Sequence, residues 1–432
     1  MRSVHAACTL CDAFGVTTTT DPARREASYT DRIRFVVELA TRLHSYGTTA
    51  QRLEGAIGAV ARRLGLRCNP WSNPTGMIIS FNDADTGSPL ADTTQVIRLD
   101  PGVTDLRKLC AADAIAEDVL AGRTDLVAGS AALAALDRKP DRRARVLEAI
   151  SYGLAAASVT GLLRSGWADI AAAAAIGTVI GILHVLGTRR PRLQEAEDAI
   201  AALIATLLVA AIAAFVLPLN TRTVLIASII VLMPGLTLTN AVAELTSQHL
   251  VSGTARFAGA MTTLLKLAFG AIAAAQLVKL LGWHLHETAN VLSPVWVEWL
   301  ALLIASYAFA VLFRADRRDY PLVMASVWLG YGVTRLTGNA LGNDVGVFLG
   351  SIAVTAASNA YARWMNRPGA LVRVPGIILL VPGSVGFRSL SFVLERDIML
   401  GIHTGVAVLT VLVALVAGVL FGNLLIPARR NL

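Results

Sequence analysis

An apolar run is interrupted at Leu232-Met233-Pro234-Gly235-Leu236-Thr237-Leu238-Thr239-Asn240 by a helix breaker, a flexible residue and a ladder of hydroxyls ending in an amide. Proline inside a helix removes one backbone hydrogen bond and clashes with the preceding turn. In lipid the freed polar groups are tolerated only against protein or a water-filled cavity. A similar break recurs 148 residues later as Leu380-Val381-Pro382-Gly383-Ser384-Val385-Gly386. Broken helices in corresponding places of two halves are what a secondary transporter presents.

The composition agrees with a membrane chain. Of 432 residues 55% are hydrophobic and only 16% are charged, against about a quarter charged in a soluble protein. The net charge of +8 does not signal nucleic acid, because the arginines flank apolar segments instead of forming one basic face. Beyond residue 146 ten segments approach the length of about twenty residues that a bilayer core requires. They are 147–164, 167–187, 198–217, 222–243, 254–281, 294–313, 320–336, 345–362, 373–391 and 400–426. With the N-terminus inside, seventeen Arg and Lys fall in the inner flanks and six in the outer ones. That excess fits the positive-inside rule and puts both termini in the cytoplasm.

Each break lies in the fourth segment of a five-segment half, and five is odd. The second half therefore enters the membrane in the opposite sense, giving a 5+5 inverted repeat. The expected domains are a disordered tail over 1–29, a cytoplasmic α+β domain over 30–140, and five-helix halves over 141–287 and 288–432. In the soluble domain the spacing predicts a helix from Asp31 and a second one capped by Thr48 or Thr49. Strands follow around Leu66–Asn69, Met77–Phe81 and Thr94–Leu99, then helices near Thr104–Ala121 and Thr124–Leu136.

The candidate transport residues cluster at the breaks. Backbone amides freed after Pro234-Gly235 can receive a carboxylate, with Thr237, Thr239, Asn240 and Glu244 holding an ammonium or hydroxyl. The competing explanation is that Pro-Gly only kinks the helix and the small polar residues glue helices together. In the second half Pro382, Gly383 and Ser384 match the first break, but Arg388 stands where Asn240 aligns, so the halves contribute unequally. Lys266 lies mid-segment, where an unpaired charge costs at least about 2.5 kcal/mol; it needs a partner or a cavity. His403 offers a proton relay, although a lone histidine facing a polar crevice is the commoner case. Glu244 or Lys266 could couple protons, since a buried ionisable group can change charge as a cavity opens.

His44, Tyr46, Thr48, Thr49, Arg52 and Glu54 form a dense polar cluster at a helix junction. A hydrolase could be assembled from His44, Asp83 and a serine, but no G-x-S-x-G elbow or H-E-x-x-H helix occurs. Capping and turn roles explain the cluster more cheaply. Cys8-Thr9-Leu10-Cys11, with His5 nearby, lacks the second pair a metal site would need. No cofactor or metal is expected.

The stretch His44-Ser45-Tyr46-Gly47-Thr48-Thr49-Ala50-Gln51-Arg52-Leu53-Glu54, the run from Pro234-Gly235 to Arg256, and Pro375-Gly376 followed by Pro382-Gly383 together resemble the threonine/serine exporters, a family of bacterial inner-membrane carriers. The resemblance implies export of threonine, serine or a similar small metabolite, driven by the proton motive force. It also implies small-molecule substrate, protons and lipid bilayer as partners, and leaves a homo-oligomer open. Related split systems are linked to dicarboxylates, so succinate export is the alternative. A hydrolase-like signature goes with the family's N-terminal domain; no recognisable triad stands here, and a membrane-anchored hydrolase is the rival from another class.

Overall fold

The structure, a computed structural model, describes residues 28–83, 92–137, 141–188, 190–288, 292–395 and 397–428. The predicted tail up to residue 27, with His5, Cys8 and Cys11, lies outside the described residues, as do Lys139 and the C-terminal Arg429 and Arg430. Tyr29, assigned to that tail, already belongs to the first helix.

The N-terminal domain follows from local rules. Ser28 caps α1 (Tyr29–Ser45) by accepting the Asp31 N–H at 3.1 Å. The helix buries Phe35, Val36, Leu39 and Leu43 on one face. Gly47 turns the chain at φ +80°, and a Cβ there would stand 2.9 Å from the Thr104 backbone nitrogen, where it has no room. α2 (Ala50–Arg63) packs Leu53, Ile57 and Val60 inward. An antiparallel sheet follows in the order β1 (Leu66–Asn73), β2 (Gly76–Asp83), β3 (Thr93–Arg98). Met77, Ile79 and Phe81 alternate onto the buried face and join the helix residues in one core. α3 (Leu106–Leu120) and α4 (Leu126–Ala135), capped by Asp105 and Asp125, complete the domain. Every predicted element is present within a few residues.

Among the described residues twelve further α-helices follow: α5 (Arg142–Leu162), α6 (Trp167–Gly187), α7 (Pro191–Phe215), α8 (Thr221–Ser228), α9 (Gly235–Thr246), α10 (Leu250–Leu280), α11 (Val295–Leu312), α12 (Tyr320–Leu341), α13 (Asn343–Met365), α14 (Ala370–Ile377), α15 (Gly383–Leu394) and α16 (Ile398–Leu425). Each of the ten predicted segments coincides with one helix, or with one broken pair, α8–α9 or α14–α15. Among the described residues seven segments are long and apolar enough to cross a membrane, or eight if the bent pair α8–α9 counts as one crossing. α5 and α12 fall short of that measure; they carry Arg145, Glu148, Arg335 and Asn339 within otherwise apolar turns. Leu265, Phe269 and Leu280 on α10 and Ile402, Val406, Leu409 and Val413 on α16 are exposed, as lipid-facing side chains would be.

The two breaks repeat in detail. Each has a helix of 8 residues, a 3-10 turn of 3 and, past the Pro-Gly step, a helix of 12. Pro234 sits at φ −81°, ψ 43° and Pro382 at φ −84°, ψ 38°. The helices after each break pack alike: Gly253 of α10 seats against the Leu245 backbone of α9, and Gly401 of α16 against Val393 of α15. α15 also reaches across to α10, and α9 to α16.

Candidate functional site

A Pro-Gly step opens each short helix, so the first N–H groups of α9 and α15 have no partner within their own helix; that of Gly235 turns back to the Met233 carbonyl at 2.8 Å. The two beginnings meet. A Cβ on Gly235 would stand 3.3 Å from Gly383 Cα and 2.5 Å from Val381 Cγ1, so only hydrogen fits at the crossing. Thr239, one turn on, returns its hydroxyl to the Gly235 carbonyl at 3.2 Å. The next residue, Asn240, is half-buried and its amide makes no hydrogen bond among the described residues.

Thr239 and Asn240 line a cavity of about 610 Å³ between the two parts of the molecule. That volume is in the range of small-molecule sites. Its walls come from α9, from α14 with Arg373 and Ile377, from Asn359 of α13 and Asn423 of α16, and from α2 of the N-terminal domain, which supplies Thr49 and Arg52. Asn359 donates to Asn423 Oδ1 at 2.8 Å and to the Ile426 carbonyl at 2.7 Å, fixing that wall. Arg367 is held bidentately by Asp319 at 2.6 and 2.7 Å. By contrast, Arg52 and Arg373 have no ion-pair partner among the described residues. Burial lowers the Arg52 pKa to about 10. On α3, burial and the neighbouring Glu117 push Asp113 up to about 7, against the opposing pull of Arg367.

Two docks hold the N-terminal domain over this cavity. In the first, Glu244, only 1% exposed, accepts the Ala50 N–H at 2.9 Å and Ser252 Oγ at 2.7 Å, and Arg256 Nε lies 3.0 Å from both its oxygens. Thr49 occupies the predicted cap position of α2, but its hydroxyl makes no capping bond; the carboxylate of Glu244 does that work from the other domain. Beside it, His249 Nε2 approaches Glu54 at 3.2 Å, while Glu54 accepts both Ser72 N–H and hydroxyl. In the second dock, the first two N–H groups of α3, from Leu106 and Arg107, donate to the Phe313 and Arg314 carbonyls at 3.0 and 3.2 Å.

The other predicted residues lie elsewhere. Pro234, Gly235, Pro382 and Gly383 form the crossing. Thr237 and Ser384 are half-buried, Arg388 and His403 are exposed, and none of the four lines the cavity. Lys266 donates to the Glu195 carbonyl at 2.9 Å and pairs with Asp198 at 3.7 Å, so its charge is answered by α7. The sequence alone places Arg52 among capping residues and Arg373 among topology signals, and carries no signal for Asn423. The proposed hydrolase trio is not assembled: His44 Nε2 donates to the Asn73 carbonyl at 3.0 Å, Asp83 pairs with Arg32 at 2.8 Å, and Ser72 bonds Glu54. Desolvation lowers the His44 pKa, keeping the buried ring neutral.

Residues 34–278 match one family model for threonine/serine exporters, and residues 298–425 match a second. Among curated proteins the chain is 24% identical over 398 residues to an uncharacterized protein of Schizosaccharomyces pombe, covering 89% of this chain and 50% of that one. It is 23% identical to pheromone-regulated membrane protein 10 of Eremothecium gossypii, with 88% and 52% covered. Against the protein of that name in Zygosaccharomyces rouxii it is 25% identical, with 84% and 37% covered. The chain thus spans about half or less of these relatives. No solved structure matches it.

Proposed function

Since the chain belongs to the threonine/serine exporter family of membrane proteins, we propose that it exports a small polar metabolite, threonine or serine, as a secondary active carrier driven by the proton motive force. The observation that carries this reading is the cavity of about 610 Å³ into which Thr239 and Asn240 project just past the Pro-Gly crossing. Broken helices meeting at the interface of two halves are where such carriers bind substrate. The matching breaks and their exchanged packing support ten crossings arranged as a 5+5 inverted repeat; on this reading the arginine-rich flanks put the N-terminal domain and both termini in the cytoplasm.

Glu244 and Lys266 are the proton-coupling candidates. Each is held by a partner of opposite charge, Arg256 and Asp198. A second reading, export of a dicarboxylate such as succinate, is favoured by the two unpaired guanidiniums facing the cavity. Efflux of preloaded labelled threonine, serine and succinate from cells carrying the protein tests both, with and without an uncoupler. Saturable, uncoupler-sensitive efflux is expected for one of them, and Asn240→Ala should reduce it with the protein still in the membrane. Flux that does not saturate would instead describe a channel.

A further inference from the structure

The cavity is walled on one side by the N-terminal domain, and that wall brings a charge. Arg52 rises from the first turn of α2, directly behind the Ala50–Glu244 dock, and faces the cavity half-buried. Arg373, on α14 of the membrane part, faces the same space. Other half-buried cations nearby are answered: Arg256 by Glu244, Arg367 by Asp319, Arg314 by Glu148 at 3.0 Å. Glu54, the carboxylate two residues from Arg52, is already taken by Ser72 and His249. Removing a guanidinium from water is unfavourable unless an anion with suitable oxygens receives it. The planar fork of arginine fits a carboxylate bidentately. Depression of the Arg52 pKa to about 10 records the same want of a partner.

We propose that Arg52 and Arg373 together form a carboxylate-binding pair, so that the N-terminal domain supplies part of the substrate site. This rests on the exporter reading and sharpens it. The α-carboxylate of an amino acid and one end of a dicarboxylate share the chemistry. Asn240, Thr239 and the Asn359–Asn423 wall remain for the rest of the molecule, and Asp113 and Glu117 on α3 stand at the same cavity for an ammonium.

The test is ligand-dependent thermal unfolding of the purified full-length protein, with L-threonine, L-threoninamide and succinate as probes. Ligand that binds only the folded state raises the melting temperature with concentration. Threonine or succinate should do so, and threoninamide, which lacks the carboxylate, should not at equal concentration. Threonine alone would assign a zwitterion, and succinate alone a dicarboxylate. Arg52→Gln and Arg373→Gln should each raise the half-maximal concentration about tenfold to a hundredfold, the usual loss for one hydrogen bond to a charged group. Arg52→Lys should fall between. Without ligand, Arg52→Gln should unfold no lower than wild type, since it removes an unanswered charge; a structural arginine would behave oppositely. Wild-type dose dependence in Arg52→Gln, failure of that variant to fold, or no response of the wild type to either carboxylate overturns the proposal. Efflux measured separately decides the exporter reading: transport unaltered by Arg52→Gln leaves it standing and removes only this pair.

Discussion

Glu244 and Ala50 stand 194 positions apart, yet a carboxylate oxygen of the first accepts the backbone N–H of the second at 2.9 Å. The bond ties the start of a helix in the N-terminal domain to the end of a helix in the membrane part. It also explains why a glutamate can be buried here: Arg256, Ser252 and the N-terminus of α2 together replace its lost water.

Glu244→Ala leaves Arg256 buried without an anion and α2 without its cap. Breaking a buried pair in this way typically costs about 3–5 kcal/mol. We expect a lower melting temperature and faster proteolytic cleavage in the turn at residues 46–49, because the domain lifts from its dock. Protection equal to wild type would mean that the second dock, at Phe313 and Arg314, carries the attachment alone.

The Gly235–Gly383 crossing tolerates no side chain. Gly235→Ala pushes a methyl to 2.5 Å from Val381 Cγ1, and overpacking of this kind costs about 1–3 kcal/mol. Efflux should fall sharply while the protein still inserts. Combining it with Val381→Ala should restore much of the rate, whereas Val381→Ala alone should have a small effect. Absence of rescue would place the defect in the backbone instead of the contact.

Asp113 gives a pH signature. Its folded-state pKa, raised from 3.8 to about 7, means that the native protein holds this proton more tightly than the unfolded chain. Stability from this group is full below about 3.8, declines as the unfolded chain gives up its proton, and is gone once the pH passes about 7. Asp113→Asn, which stays neutral, should therefore melt higher than wild type by a margin that widens from about pH 4 to about pH 7 and stays constant above it. A variant that melts lower at pH 8 would show instead that the charged carboxylate is needed, with Arg367 its obvious partner.

Much of this architecture was legible from local pattern. Pro234-Gly235 and Pro382-Gly383 announced their breaks because proline and glycine act on the neighbouring backbone alone, and the alternation of Met77, Ile79 and Phe81 announced β2. Asn240 stood out as the amide ending the polar stretch after the first break, and it lines the cavity. The docks were not legible. Nothing near Glu244 in sequence says that its carboxylate will meet Ala50, and a polar residue just past a break reads equally well as substrate contact or as fastening. Lys266 posed the same problem: the sequence demanded an anion for it, but only packing of α7 on α10 identifies Asp198. Arg52 and Arg373 were hidden for the opposite reason. An arginine beside an apolar segment is expected at a membrane surface, and only the ion pairs of the folded chain reveal that these two have none among the described residues.

The dock at Glu244 also bears on speed. On the proposed route, a carrier whose binding chamber is walled by its own N-terminal domain fills from that side only after the wall shifts. Parting the Ala50 N–H from Glu244 then becomes an elementary event of every cycle, and its frequency sets a ceiling on turnover that no gain in substrate affinity can lift.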